Sequence, residues 1–192
     1  MLHDKKNYQK FLQDFFTEID EKKINNLILD LRGNWGGDPY YSSKLLSYLI
    51  HEPVQYFNDE LPFLFSLVYS KLTSPMPPAQ RNFKGNLYTL INGACFSSTG
   101  HLCSLLKYHK IGKFIGSETG GSYVCTDGSK DIMLQFTQLR LHYSTTPFRT
   151  EVIGLEFGRG IRPDYEINRT IEDVLLHKDV EMARALRLLN IK

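Results

Sequence analysis

The sequence predicts an α/β fold in layers, and two features carry that expectation. Two short runs rich in Leu and Ile, LILDL at 27–31 and LYTLING at 87–93, have the apolar character of strands buried on both faces. Each runs into a turn containing glycine and then into a segment with helical spacing. Strands alternating with helices across short glycine turns indicate a sheet covered by helices. The length of 192 residues suits a single domain, 1–192, able to bury a core without disulfide staples.

Taken in order, residues 7–23 read as an amphipathic helix. Tyr8, Phe11, Leu12, Phe15, Phe16 and Ile19 recur at helical spacing among Lys, Gln, Asp and Glu. After the 27–31 strand, GNWGGDP is a loop, and YYSSKLLSYLIH at 40–51 is a helix. The aromatic stretch 52–70 is expected to be partly extended. The Pro-rich segment 74–86 is expected to be a surface connection, with a substrate rim or lid as the second reading. The 87–93 strand leads into a helix at SSTGHLCSLLKYH, with Leu102, Leu105 and Leu106 on one side. KFIGSETGG is a short strand entering another glycine loop. IMLQFT and LRLHYSTT alternate as a hairpin-type pair. FGRGIRPDYEI is a loop leading to an edge strand. Residues 171–189 read as one helix, capped near Thr170 with Glu172 and Asp173 in its first turn. The chain enters its first helix abruptly, which predicts further residues upstream of Met1.

Composition narrows the classes of function. A net charge of +2 with no basic arm gives no footprint for nucleic acid or for an anionic membrane surface. No apolar run is long enough to span a bilayer, and the N-terminus lacks the apolar core of a signal peptide. Three cysteines, Cys95, Cys103 and Cys125, make no disulfide framework. Cys95, His101 and Cys103 lack zinc-ligand spacing, so no metal and no cofactor is expected. Neither GNWGGDP nor GSETGGS is a phosphate-binding glycine motif. Ser104 and Lys107 match S-x-x-K in form, but they sit in a leucine-rich helix without the companion motifs.

The chemistry-bearing candidate is the turn in LINGACFSSTGH. Ser97 stands where a strand ends and a helix begins, among unpaired backbone N–H groups that favour negative charge. Local physics leaves two readings open: a helix N-cap, the common job of serine there, or a nucleophile. As a nucleophile, Ser97 could use the Ser98 N–H as one oxyanion donor. A second could come from Gly36 or Gly37, where missing side chains allow close backbone approach. The turn is not the G-x-S-x-G elbow, because Cys95 occupies the first glycine position. His101, one helical turn beyond Ser97, could assist, but a surface or cap-adjacent histidine is the stronger reading of it.

Three segments in order, LILDLRGNWGGDP, LINGACFSSTGHLCSLLK with IGSETGGS, and GIRPDYEI, resemble the tail-specific, or C-terminal processing, serine peptidases. The likeness is to the tricorn-like and Bacteroides-type branches and runs from about residue 8 to the C-terminus. It implies a crotonase-like (ClpP-like) core, here as the C-terminal part of a catalytic domain. It implies a serine endopeptidase acting on polypeptides through an acyl-enzyme on Ser97, with oxyanion donors at Ser98 and the Gly36–Gly37 loop. It also implies an exported, envelope-associated parent protein.

The same resemblance puts Ser122 where many members carry the lysine base, and Cys95 where threonine is usual. It points to Glu156 as the carboxylate that orients a histidine placed far upstream, with Glu118 as the second candidate. No histidine of this chain matches the upstream one. The rival class is a binding module that keeps the fold and has lost catalysis.

Overall fold

A computed structural model describes residues 2–61 and 63–190; Met1, residue 62, inside the 52–70 stretch, and residues 191–192 lie outside the described residues. Four strands organise the chain: β1 (Asn26–Asp30), β2 (Asn86–Ile91), β3 (Lys113–Gly116) and β8 (Tyr165–Glu166). They form a parallel sheet in the order β1-β2-β3-β8, so the last strand is indeed an edge. Leu27 pairs with Leu87, Leu90 with Ile115, and Ile115 with Tyr165.

Successive side chains of a strand point to opposite faces, and both faces are covered. Leu27, Leu29, Leu87, Ile91 and Phe114 join the larger core with helices α1 (Leu2–Glu21), α2 (Pro39–Ser47) and α4 (Ser98–Tyr108). Ile28, Tyr88, Leu90 and Ile115 join a smaller cluster with Ala185, Met182 and Leu188. Those last three belong to the C-terminal helix α6 (Val180–Leu188). Burial on both faces is why these strands read as continuous apolar runs rather than as alternating ones.

The first helix begins earlier than its periodicity suggests. Leu12, Phe16 and Ile19 are buried as expected, but Phe11 and Phe15 stay exposed and stack on each other with ring centroids 5.8 Å apart. α2 is capped by Asp38, whose carboxylate accepts the Tyr40 N–H at 2.9 Å, with Pro39 preset for the first turn.

The 52–70 stretch is more helical than expected. It holds α3 (Phe63–Val68) and runs into a 3-10 turn at Ser70–Leu72. The Phe65 ring packs edge-on to Phe148 at 4.9 Å, and the Leu72 carbonyl accepts the Tyr56 and Phe57 N–H groups. Tertiary contacts therefore select helix over extended chain here.

The Pro-rich 74–86 segment is tied down rather than lid-like. Ala79 N donates to Ser47 O, Phe83 N donates to Tyr48 O, and the Phe83 side chain is buried. Its residues 80–85 line a groove of about 520 Å³ with the end of α1. Asn25 and Gly85 there immediately precede β1 and β2, so this groove lies at the amino ends of the strands.

Beyond β3, β4 (Val124–Asp127) pairs antiparallel with β7 (Thr146–Arg149). The predicted hairpin is β5 (Lys130–Met133) with β6 (Arg140–Tyr143). The expected single helix 171–189 is two helices, α5 (Ile171–Leu175) and α6. His177 takes a positive φ of 50°, and Asp179 starts a new helix by accepting the Met182 N–H at 2.9 Å. The Thr170 cap is a full capping box with Asp173.

Candidate active site

Because β1, β2 and β3 run parallel, the loops after them emerge at one end of the sheet. Open α/β sheets bind ligands at this carboxyl end. The three loops are 31–37, 92–97 and 117–121. They touch directly: a methyl group built on Gly36 meets Phe96 O, Ser97 Cβ and Ser98 N at 2.7, 2.7 and 2.8 Å. One built on Gly121 meets Ser97 N at 2.9 Å. Missing side chains are what let these backbones approach the serine.

Side chains of the loops lock the approach. Asn34 Oδ1 accepts from Gly36 N and from Thr99 Oγ1, both at 2.9 Å, and Phe96 N donates to Asn34 O at 3.0 Å. Asn92 Oδ1 accepts from Gly33 N and Ala94 N, each at 3.1 Å. The buried Cys95 thiol donates to Leu31 O at 3.1 Å, and burial pushes its pKa up, as befits a structural rather than a reactive sulfur. Gly121 N donates to Cys95 O at 2.8 Å. Sequence reasoning missed these braces. Their signal was the asparagine in each of two loops, a residue that hydrogen-bonds the backbone near it.

Ser97 caps α4 by position only. Its side chain makes no capping hydrogen bond, and its backbone stands at φ 51°, ψ −128°. A non-glycine residue there stores strain on the order of 1–3 kcal/mol, which surrounding contacts must hold in place. Two do so: His101 N and the Cys125 thiol both donate to Ser97 O, at 3.1 and 3.4 Å. Removing the side chain should release the strain. Ser97→Gly is expected to gain about 1 kcal/mol, or roughly 2–4 °C in Tm, while destroying the site. Thermal unfolding of the variant against wild type measures this.

Two depressions flank Ser97. One, about 50 Å³, is walled by Pro39, Phe65, Tyr69 and Phe148 and also touches Gly37, Ser98 and Cys125. The other, about 360 Å³, runs between Gly120–Ser122 and Phe157–Gly160. Gly36 N is committed to Asn34, whereas Gly37 N and Ser98 N make no hydrogen bond among the described residues.

The remaining candidates are distributed unevenly. His101 is not the surface histidine expected: it is buried on the core side of α4, its Nε2 lies 3.2 Å from Phe148 O, and burial lowers its pKa to about 4. Its Nδ1 has no partner among the described residues. Glu118 is engaged in structure, accepting from Arg159 Nη2 at 2.6 Å and Gly160 N at 2.8 Å. Glu156 is exposed and meets Arg162 at 3.3 Å, in a depression adjoining the Ser97 groove rather than inside it. Ser122 Oγ is buried without a partner among the described residues, beside that groove. Among the described residues, no group of three His, Cys, Asp or Glu side chains is arranged to hold a metal ion, and no helix is long and apolar enough to cross a membrane.

A strained serine at a strand-to-helix turn thus stands beside a glycine loop at the carboxyl end of a parallel sheet, where open α/β sheets bind ligands. The family model for peptidase family S41 matches residues 2–167, and the chain belongs to that family.

A comparison with curated protein sequences finds no match. Among solved structures, the photosystem II D1 C-terminal processing protease is similar at 19% identity, covering 84% of this chain and 39% of that one, with a TM-score of 0.59. A peptidase candidate from Parabacteroides merdae is similar at 20% identity, 94% and 56% coverage, and a TM-score of 0.64. Mature CPAF is similar at 16% identity, 97% and 47% coverage, and a TM-score of 0.62. The chain thus spans roughly 39 to 56% of the length of these proteins.

Proposed function

We propose that this chain is the nucleophile-bearing part of a serine endopeptidase, with a crotonase-like core and residues 1–192 forming one catalytic unit. The observation that carries the reading is the strained Ser97, whose side chain is free of capping duty, packed against the Gly36 loop. Membership of peptidase family S41 supports polypeptide as the substrate.

In this reading Ser97 Oγ attacks the scissile carbonyl carbon as a base removes its proton. The carbonyl oxygen gains negative charge and accepts from Gly37 N and Ser98 N, two amides without partners among the described residues. Collapse of the tetrahedral intermediate breaks the C–N bond. The proton passes to the leaving amine, and an ester to Ser97 remains for water to cleave. Gly36 serves the oxyanion site by allowing close packing, since its own N–H is spent on Asn34.

Neither buried His101 nor Ser122 supplies the base: burial makes His101 a weak base, with its pKa lowered to about 4 and its Nε2 at Phe148 O, and Ser122 has no basic group. Glu156, exposed and paired, among the described residues, only with the exposed Arg162, is the carboxylate this reading assigns to orient a histidine brought to Ser97. Glu118 braces the 159–160 segment instead.

A fluorophosphonate probe tests the reading on the full chain. Stoichiometric mass gain on Ser97, absent in Ser97→Ala, is expected. A folded protein that takes no label and yet retains peptides in the groove would be the binding module of the rival reading.

A further inference from the structure

Arg32 spends all of its guanidinium N–H donors on carboxylates. Nε and Nη2 donate to Asp30 at 2.9 and 2.7 Å; Nη1 and Nη2 donate to Asp179 at 2.7 and 2.8 Å; Nη1 also donates to Glu181 at 3.2 Å. Two of the three carboxylates come from the start of α6, far away in sequence. The Asp179 carboxylate also caps α6, and Arg169 Nε closes on Glu181 at 3.0 Å. Arg32 and Glu181 are largely buried, with side-chain exposure of 15% and 7%, while Asp30 and Asp179 keep one side in solvent at 42% and 44%. A planar fork held on every donor has one orientation, unlike a single surface ion pair.

That orientation matters because Arg32 leads directly into the glycine loop. Gly33, Gly36 and Gly37 stand at φ 72°, 90° and 143°, and glycine leaves this loop many other backbone conformations. Asn34 pins its far side to the serine turn, Asn92 and Cys95 hold Gly33 N and Leu31 O, and Arg32 adds an anchor between those two. α6 itself is fixed to the sheet by Ala185, Met182 and Leu188 against Leu90 and Ile115.

We propose that α6 is a latch on the glycine loop. Arg32 acts as a positioning residue, and Asp179 with Glu181 sets where residues 33–37 lie relative to Ser97. The catalytic consequence rests on the reading of Ser97 as nucleophile; the positional claim stands apart from it. Geometry held to a fraction of an ångström controls rate at such sites.

The test compares Asp179→Asn/Glu181→Gln, which keeps a capping acceptor for Met182 N, with Phe83→Ala, which destabilises the core at the opposite, amino end of the strands and leaves α6 and its carboxylates intact. Backbone hydrogen exchange over residues 32–37 and the fluorophosphonate labelling rate of Ser97 are both read. In the double variant, exchange at 32–37 is expected to quicken about tenfold and labelling to slow about tenfold. Arg32→Lys, which keeps charge but loses the fork, should match it. Phe83→Ala should leave 32–37 near wild type even at equal global stability.

Unchanged exchange at 32–37 in the double variant overturns the latch. So does equal quickening in Phe83→Ala, which would make the effect one of stability alone. A wild-type protein that takes no label overturns the reading of Ser97, while the exchange comparison still decides the latch.

Discussion

Gly36→Ala is expected to abolish fluorophosphonate labelling of Ser97 as completely as Ser97→Ala does, and, unlike Ser97→Ala, to cost stability. The added methyl group falls 2.7 to 2.8 Å from Phe96 O, Ser97 Cβ and Ser98 N. Two of these are backbone atoms of the serine turn, which cannot swing aside as a flexible side chain would. The φ of 90° also disfavours any L side chain. Overpacking and backbone strain together should remove about 2 to 4 kcal/mol, measured by urea unfolding.

Gly37 supplies the internal comparison. A methyl group there meets nothing within 4 Å, although its φ of 143° is still strained. Gly37→Ala should therefore cost about 1 kcal/mol. A Gly36→Ala protein as stable and as readily labelled as wild type would show that the loop is not packed on the serine turn.

The second large effect is a loss of stability in mild acid centred on His101. Burial holds its folded-state pKa near 4, below the ordinary 6.5. The folded protein therefore refuses a proton that the unfolded chain accepts. Stability is full above pH 6.5, falls as pH drops from 6.5 towards 4, and levels off for this group below that. The shift corresponds to about 3 kcal/mol. His109, also lowered by burial, adds to the same slope.

Asp179, held near 2 chiefly by its hydrogen bonds from Arg32, contributes in a lower window, as pH falls from 3.8 towards 2. The two origins are thus separable. Urea unfolding at about pH 7 and about pH 4.5 should show the loss in wild type and most of it gone in His101→Phe. An unchanged pH slope in that variant would place the acid sensitivity elsewhere.

Helix starts and strand cores were legible because their determinants are local. Leu12, Phe16 and Ile19 face the core at helical spacing, and the capping box at Thr170 is readable three residues apart. The readings that failed were those in which distant contacts outweigh local pattern. Residues 63–68 are helical with Phe65 against Phe148, and the 171–189 periodicity breaks where Asp179 turns to Arg32. Ser97 shows both sides. Its place on a turn was visible in sequence, but a serine there is ordinarily a cap. Only the backbone angles and the absent capping bond separate it from one.

Local pattern was therefore enough for the layered α/β class and for the positions of the three strand-ending loops, while the family was reached by the resemblance of three ordered segments. Spacing, turn residues and apolar runs encode the class and the loops within a few residues of chain. Long-range packing settled the rest. It brings the loops after β1, β2 and β3 together, ties Glu118 to Arg159 while Glu156 stays exposed, and holds Arg32 from α6. Those contacts depend on the parallel order of strands and on partners dozens of residues apart, and no local periodicity specifies which distant carboxylate a guanidinium or an amide will find.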